Sequence, residues 1–113
     1  MATENFDIEK ITNMDKAAAI NIAKIYMQLI KAKYEVSQSL LFGSYAKGNF
    51  NNDSDIDVAI VLKNPADIID VQIEMMKLRR NIDLRIEPHP FFISDFNQQN
   101  PVVSEVLRYG IVL

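Results

Sequence analysis

The sequence predicts an α/β (α+β) fold, a sheet covered by helices. Three observations lead there. Apolar residues recur at helical spacing over residues 15–34, and two short runs with the length of strands follow at 35–42 and 55–62. A further helix, strand and helix complete an order typical of a sheet with helices packed on it. With 113 residues, 49% hydrophobic and 24% charged, the chain suits one domain, 1–113, around one core.

The first helix is expected from about Asn13 or Asp15 to Tyr34, carrying Ala18, Ile22, Ile25, Tyr26, Leu29 and Ile30 on its apolar side. Asp15 at its start and Lys31 and Lys33 near its end agree with the helix dipole. The first strand drives Leu40, Leu41 and Phe42 into the core. Gly43-Ser44 then turns the chain into a short helical segment, 45–48, and residues 49–54 form a loop of turn-forming types. The second strand, nearly continuous in Ile, Val and Ala after an acidic start, reads as interior. Pro65 is expected to open a helix running to about Arg80. A third strand is read at 82–86, its alternation putting Asp83, Arg85 and Glu87 on one side against Ile82, Leu84 and Ile86, and stopped by Pro88-His89-Pro90. Pro101 starts a last helix to Tyr109, Gly110 caps it, and residues 111–113 add a short final strand.

Composition narrows the function. The formal net charge is -3, and Lys77-Leu78-Arg79-Arg80 is the densest basic run, so a nucleic-acid partner is not expected. Without cysteine there is neither a disulfide framework nor a thiolate metal site. The acidic N-terminus, 1–7, lacks an apolar signal core, and the longest fully apolar stretch, 58–62, is far too short to span a bilayer. A cytoplasmic protein without a membrane partner is the expectation.

Residues 43–57 hold the chemistry. A Gly-Ser turn after a strand lets backbone amides and the Ser44 hydroxyl face a phosphate, and Lys47, one turn on, can counter triphosphate charge. The plainer alternative is a strand-to-helix turn with a capping serine. Asp55 and Asp57, two apart on a strand, share a face with carboxylates about 6.5–7 Å apart. Such a pair can hold Mg²⁺ together with substrate phosphates, or it can be a polar loop end in which Asp53 and Asp55 cap a turn. Asp83, 26 residues after Asp57, is either the exposed face of an edge strand or a third acid converging on the other two. Three convergent acids fit two-metal phosphoryl transfer, with Arg85 paired to Asp83 or placing the acids.

Taken together, Gly43-Ser44, Ser54-Asp55-Ile56-Asp57-Val58 and Ile82-Asp83-Leu84-Arg85 resemble the signature of the polymerase-beta-type nucleotidyltransferase superfamily. The short length is similar to its stand-alone minimal domains of bacteria and archaea, and the closing 100–111 segment agrees. The resemblance implies a small mixed β-sheet covered by helices. It implies that Gly43 and Ser44 hold the triphosphate, with Lys47 where these domains often carry arginine. It implies that Asp55 and Asp57 bind Mg²⁺ in a two-metal site and that Asp83 completes the catalytic set. The reaction implied moves a nucleoside monophosphate, AMP from ATP or its counterpart from another NTP, to an acceptor hydroxyl and releases pyrophosphate.

So small a chain leaves little room for an acceptor domain. The arrangement common among minimal relatives is pairing with a HEPN-type helical toxin, one of whose tyrosines is modified, so an antitoxin role is implied. Two alternatives stand beside it: a binding module that neutralises a helical partner by contact alone, and transfer to a small molecule as in aminoglycoside-modifying relatives. The broad apolar character of the 65–80 helix suits a homodimer or hetero-oligomer. His89 reads as a loop histidine between prolines, Tyr45 as a neighbour of the phosphate turn, and Met75-Met76 as core.

Overall fold

The computed structural model describes residues 14–113. The elements are α1 (Lys16–Lys33), β1 (Val36–Phe42), a four-residue α2 (Ser44–Lys47), β2 (Ile56–Leu62), α3 (Ile68–Leu78), β3 (Ile86–Phe92), α4 (Pro101–Tyr109) and β4 (Ile111–Val112). Short 3₁₀ turns follow α3 at Arg79–Asn81 and β3 at Ile93–Asp95. The sheet is mixed, in the order β3-β2-β1-β4. β1 runs antiparallel to both β2 and β4, whereas β3 lies parallel to β2.

Local chemistry sets the helix ends. Asp15 accepts from the Ala18 amide, so the expected α1 starts at an acidic cap; Asn13, the other suggested start, and the 1–7 segment lie outside the described residues. α3 begins later than expected. Asp67 is its N-cap, accepting from the Ile69 and Asp70 amides, and Pro65 lies ahead of it. Pro101 stands in the first turn of α4, as the sequence predicts; Asn100 caps the helix, and Gly110 ends it in an extended conformation.

β2 is the central strand, and its alternation sorts the core. Ile56, Val58, Ile60 and Leu62 face α1 and α3, where Ala19, Ala23, Tyr26, Met27, Ile30, Val71 and Met75 cover them. Ala59 faces the other side with Leu40, Phe42 and Val106 of α4. Every residue of β2 is buried except Asp57. Tyr26 ties the helices together, its buried hydroxyl donating to the Met75 carbonyl at 2.7 Å. Among the described residues no helix is long and apolar enough to cross a membrane.

The third strand differs from expectation. It occupies 86–92 rather than 82–86 and passes through Pro88, His89 and Pro90. Residues 82–85 form the approach to it, with the Asp83 and Ile82 amides both bonded to the Arg79 carbonyl. The reason is phase. In a parallel pair each residue's amide and carbonyl point the same way, and neighbours alternate. The Arg85 carbonyl accepts from Ile56 of β2, while the Ile86 and Pro88 carbonyls turn outward to the Arg79 guanidinium and the Gln72 amide, each at 2.7 Å. Pro88 and Pro90 therefore occupy outward positions, where an edge strand lacks no ladder bond for want of their N–H groups. His89 is accordingly a strand residue and not a loop histidine.

Candidate active site

The C-terminal end of β1 and the start of β2 meet where Phe42 pairs with Asp57. One residue further on, Gly43 takes φ 72° and ψ -150°, a conformation open in practice to glycine alone, and bends the chain into α2. A methyl group on Gly43 would overlap the Asp57 carboxylate, so the missing side chain is the space that carboxylate fills. Ser44 is the first residue of α2, and the Gly43 and Ser44 carbonyls accept from Lys47 and Gly48. Gly48, at φ 91°, closes the short helix in open space.

The loop before β2 delivers the first acid. Its own turn bonds come from Asn51 and Ser54: Ser54 Oγ accepts from the Asn51 amide, and Asn51 Oδ1 from the Asp53 amide. The expected alternative, with Asp53 and Asp55 as the capping groups, is not what the loop uses. Asp55 stands exposed immediately before the strand.

Asp57 is held on three sides: by Gly43, by its strand neighbours, and by His89, whose Nε2 lies 3.0 Å from Asp57 Oδ1. In the parallel register Glu87 stands beside Asp57 and His89 beside Ala59, so both project from the sheet face that Asp57 occupies. Glu87 also lies 3.6 Å from the Arg79 guanidinium. Neither Glu87 nor His89 is among the site residues expected from sequence. The available signal was the alternation of Glu87, His89 and Phe91 against Ile86, Pro88 and Pro90, which marks an edge strand once the prolines are seen to share one phase.

Asp83 is placed elsewhere. Its carboxylate accepts from the backbone amide, Nε and a terminal nitrogen of Arg85 at 2.9, 3.0 and 2.7 Å. These bonds hold its pKa below the ordinary carboxylate range, Arg85 being the main cause. The pair lines a cleft with Ala18, Asn21 and Ile22 of α1, on the side of the sheet opposite Asp57. The expected pairing with Arg85 is thus present, but the convergence of Asp83 with Asp55 and Asp57 is not. Among the described residues no three His, Asp or Glu side chains are gathered closely enough to hold one metal ion.

Lys47 turns towards α4. It pairs with Glu105 and lies 5.3 Å from the centre of the Tyr109 ring, and the hydrogen bond to Glu105 raises its pKa. Tyr45, beside the Gly43-Ser44 turn as expected, is fully buried and stacked on Phe50, its hydroxyl 3.3 Å from the Asn51 carbonyl.

The family model described as polymerase beta, nucleotidyltransferase matches residues 21–113. A Methanocaldococcus jannaschii protein provisionally named protein adenylyltransferase MJ0604 is 42% identical over 40 residues, covering 34% of this chain and 40% of that protein. The fold is similar to that of a provisionally named nucleotidyltransferase from Sulfolobus solfataricus, with a TM-score of 0.62 at 17% identity over 86% of this chain and 80% of that one. It is also similar to a chain of a toxin–antitoxin crystal structure with AMP-PNP, with a TM-score of 0.59 at 25% identity over 81% of this chain and 71% of that one.

Proposed function

The chain belongs to the polymerase-beta nucleotidyltransferase family, and from that premise we propose that it transfers a nucleoside monophosphate from an NTP, with ATP as the substrate to test first, to an acceptor hydroxyl. The observation that carries this reading is the seating of the Asp57 carboxylate on the bare backbone of Gly43. It brings the acidic strand and the Gly-Ser turn, which lie apart in sequence, into one place.

In this reading the turn at Gly43 and Ser44 receives the triphosphate, and Asp55 and Asp57 hold the divalent cation. We assign the third acid to Glu87 rather than Asp83, because Glu87 is the register neighbour of Asp57 on the same sheet face while Asp83 lines the cleft beside α1 on the other. The donor set fits magnesium: carboxylate oxygens with no thiolate, at positions where substrate phosphates can supply further oxygens. When bound, the cation neutralises phosphate charge and acidifies the attacking hydroxyl. The protein's part is placement. Gly43 leaves room for the carboxylate, β2 fixes its direction, and His89 holds one of its oxygens.

The acceptor we propose is a tyrosine hydroxyl on a helical HEPN-type partner, giving an antitoxin role. The likeness to the toxin–antitoxin chain and the name of the archaeal relative support this, although that match spans less than half of the relative. The chain also offers an exposed apolar strip on α3, where Ile69 and Ile73 remain uncovered. Incubating the protein with α-labelled ATP, Mg²⁺ and cell lysate should label a protein band. Asp57→Asn should fold normally and label nothing; label transfer retained in that variant would sink the site.

A further inference from the structure

We propose that His89 is a positioning residue that orients the Asp57 carboxylate for cation binding. This rests on the reading of Asp57 as a cation ligand. A carboxylate only accepts hydrogen bonds, so in this contact Nε2 of His89 is the donor, and the 3.0 Å bond leaves the lone pairs of Oδ2 and the second lone pair of Oδ1 for other partners. Asp57 Oδ2 lies against Gly43, so the two ends of the carboxylate meet different elements, the turn after β1 and the strand β3.

The imidazole is itself held in place. Its ring meets Phe42 edge-on, with centroids 4.9 Å apart and planes at 68°. Phe42 pairs with Asp57 from β1, and His89 pairs with Ala59 from β3. Ala59 lies on β2 between β1 and β3, and its single methyl group leaves room for the rings to meet above it. Pro88 and Pro90 restrict the backbone on either side of His89 at fixed φ. A side chain held this firmly, with its donor on an acid that is otherwise only partly enclosed, has the character of an outer-shell partner, which commonly alters metal affinity by about 10–100-fold when removed.

The test is Mn²⁺ affinity, measured calorimetrically on the nucleotide-free chain, for the wild type, Asp57→Asn, His89→Leu and His89→Gln. The Gln amide nitrogen extends about as far as the imidazole Nε2 and retains a donor. His89→Leu is expected to weaken Mn²⁺ binding about 10-fold or more. His89→Gln should recover most of that loss, and all variants should keep the wild-type melting temperature without metal. If Asp57→Asn binds Mn²⁺ as the wild type does, the cation reading of Asp57 itself fails. If Asp57→Asn weakens binding and His89→Leu does not, the role of His89 alone is overturned. Equal losses in the Leu and Gln variants also overturn it, as does a loss that follows a lowered melting temperature.

Discussion

Gly43 and Asp57 occupy one another's space: the glycine has no side chain where the carboxylate lies, and its backbone adopts a conformation that other residues resist. Gly43→Ala should therefore displace Asp57 as well as strain the turn. We expect nucleotidyl transfer to be lost and stability to fall by about 1–3 kcal/mol. Gly48→Ala is the control, since its positive φ is strained but its surroundings are open. It should lower the melting temperature and retain transfer. Labelled-nucleotide assays and thermal unfolding of the two variants separate the effects.

Asp83 and Arg85 predict a pH signature in stability. The folded-state pKa of Asp83 lies below its unfolded value, so the pair contributes fully above the ordinary carboxylate range. Its contribution is lost as pH falls through that range towards the folded value. Asp83→Asn should be less stable than the wild type near neutrality by about 1–2 kcal/mol, a typical cost for a hydrogen-bonded charged group that is not fully buried. The difference should shrink below about pH 4, the unfolded carboxylate range. Denaturant melts at neutral and acid pH check this. If the catalytic set includes Glu87 and not Asp83, Asp83→Asn should also retain transfer at neutral pH, whereas Glu87→Gln should reduce it at least 10-fold.

Lys47 is engaged by Glu105 across the gap between α2 and α4. If its charge serves the triphosphate, the nucleotide must compete with that carboxylate. Glu105→Gln should lower the KM for ATP several-fold with little change in kcat, and Lys47→Gln should raise it. Neither should move the melting temperature measurably, because exposed ion pairs contribute little to stability. Steady-state kinetics with varied ATP provides the measurement.

Tyr26 is the clearest test of the core. Tyr26→Phe keeps the ring but leaves the Met75 carbonyl, near the end of α3, without its buried donor. A loss of about 1–3 kcal/mol is expected in denaturant unfolding.

Much of this architecture is present in sequence pattern. The helical period of α1, the continuous apolar run of β2 and the glycine turn between acidic and apolar segments each reflect a local constraint that the fold obeys. So the Gly43-Ser44 turn and the start of β2 fall where the pattern puts them, with Asp57 on the strand and Asp55 just ahead of it. The third strand is different. Alternation in Ile82–Ile86 imitates a strand, and two prolines imitate its end, because proline is excluded from a ladder in general but not from the outward positions of an edge. Which strand lies at the edge is decided by tertiary pairing. Asp83 accordingly precedes the observed strand, whereas Glu87 and His89 lie on it. The destination of Lys47 was similarly hidden, since Glu105 follows it by 58 residues and meets it only through the packing of α4.

The same two prolines make the outer side of β3 a poor template for another chain. Pro88 and Pro90 offer no donors there, and the carbonyls of Ile86 and Pro88 are already taken by Arg79 and Gln72. An incoming strand would find few of the donors and acceptors it needs along 86–90. This flank resists edge-to-edge aggregation, with the Arg79 guanidinium as one of its guards, so a partner that approaches it must be recognised mainly by side chains.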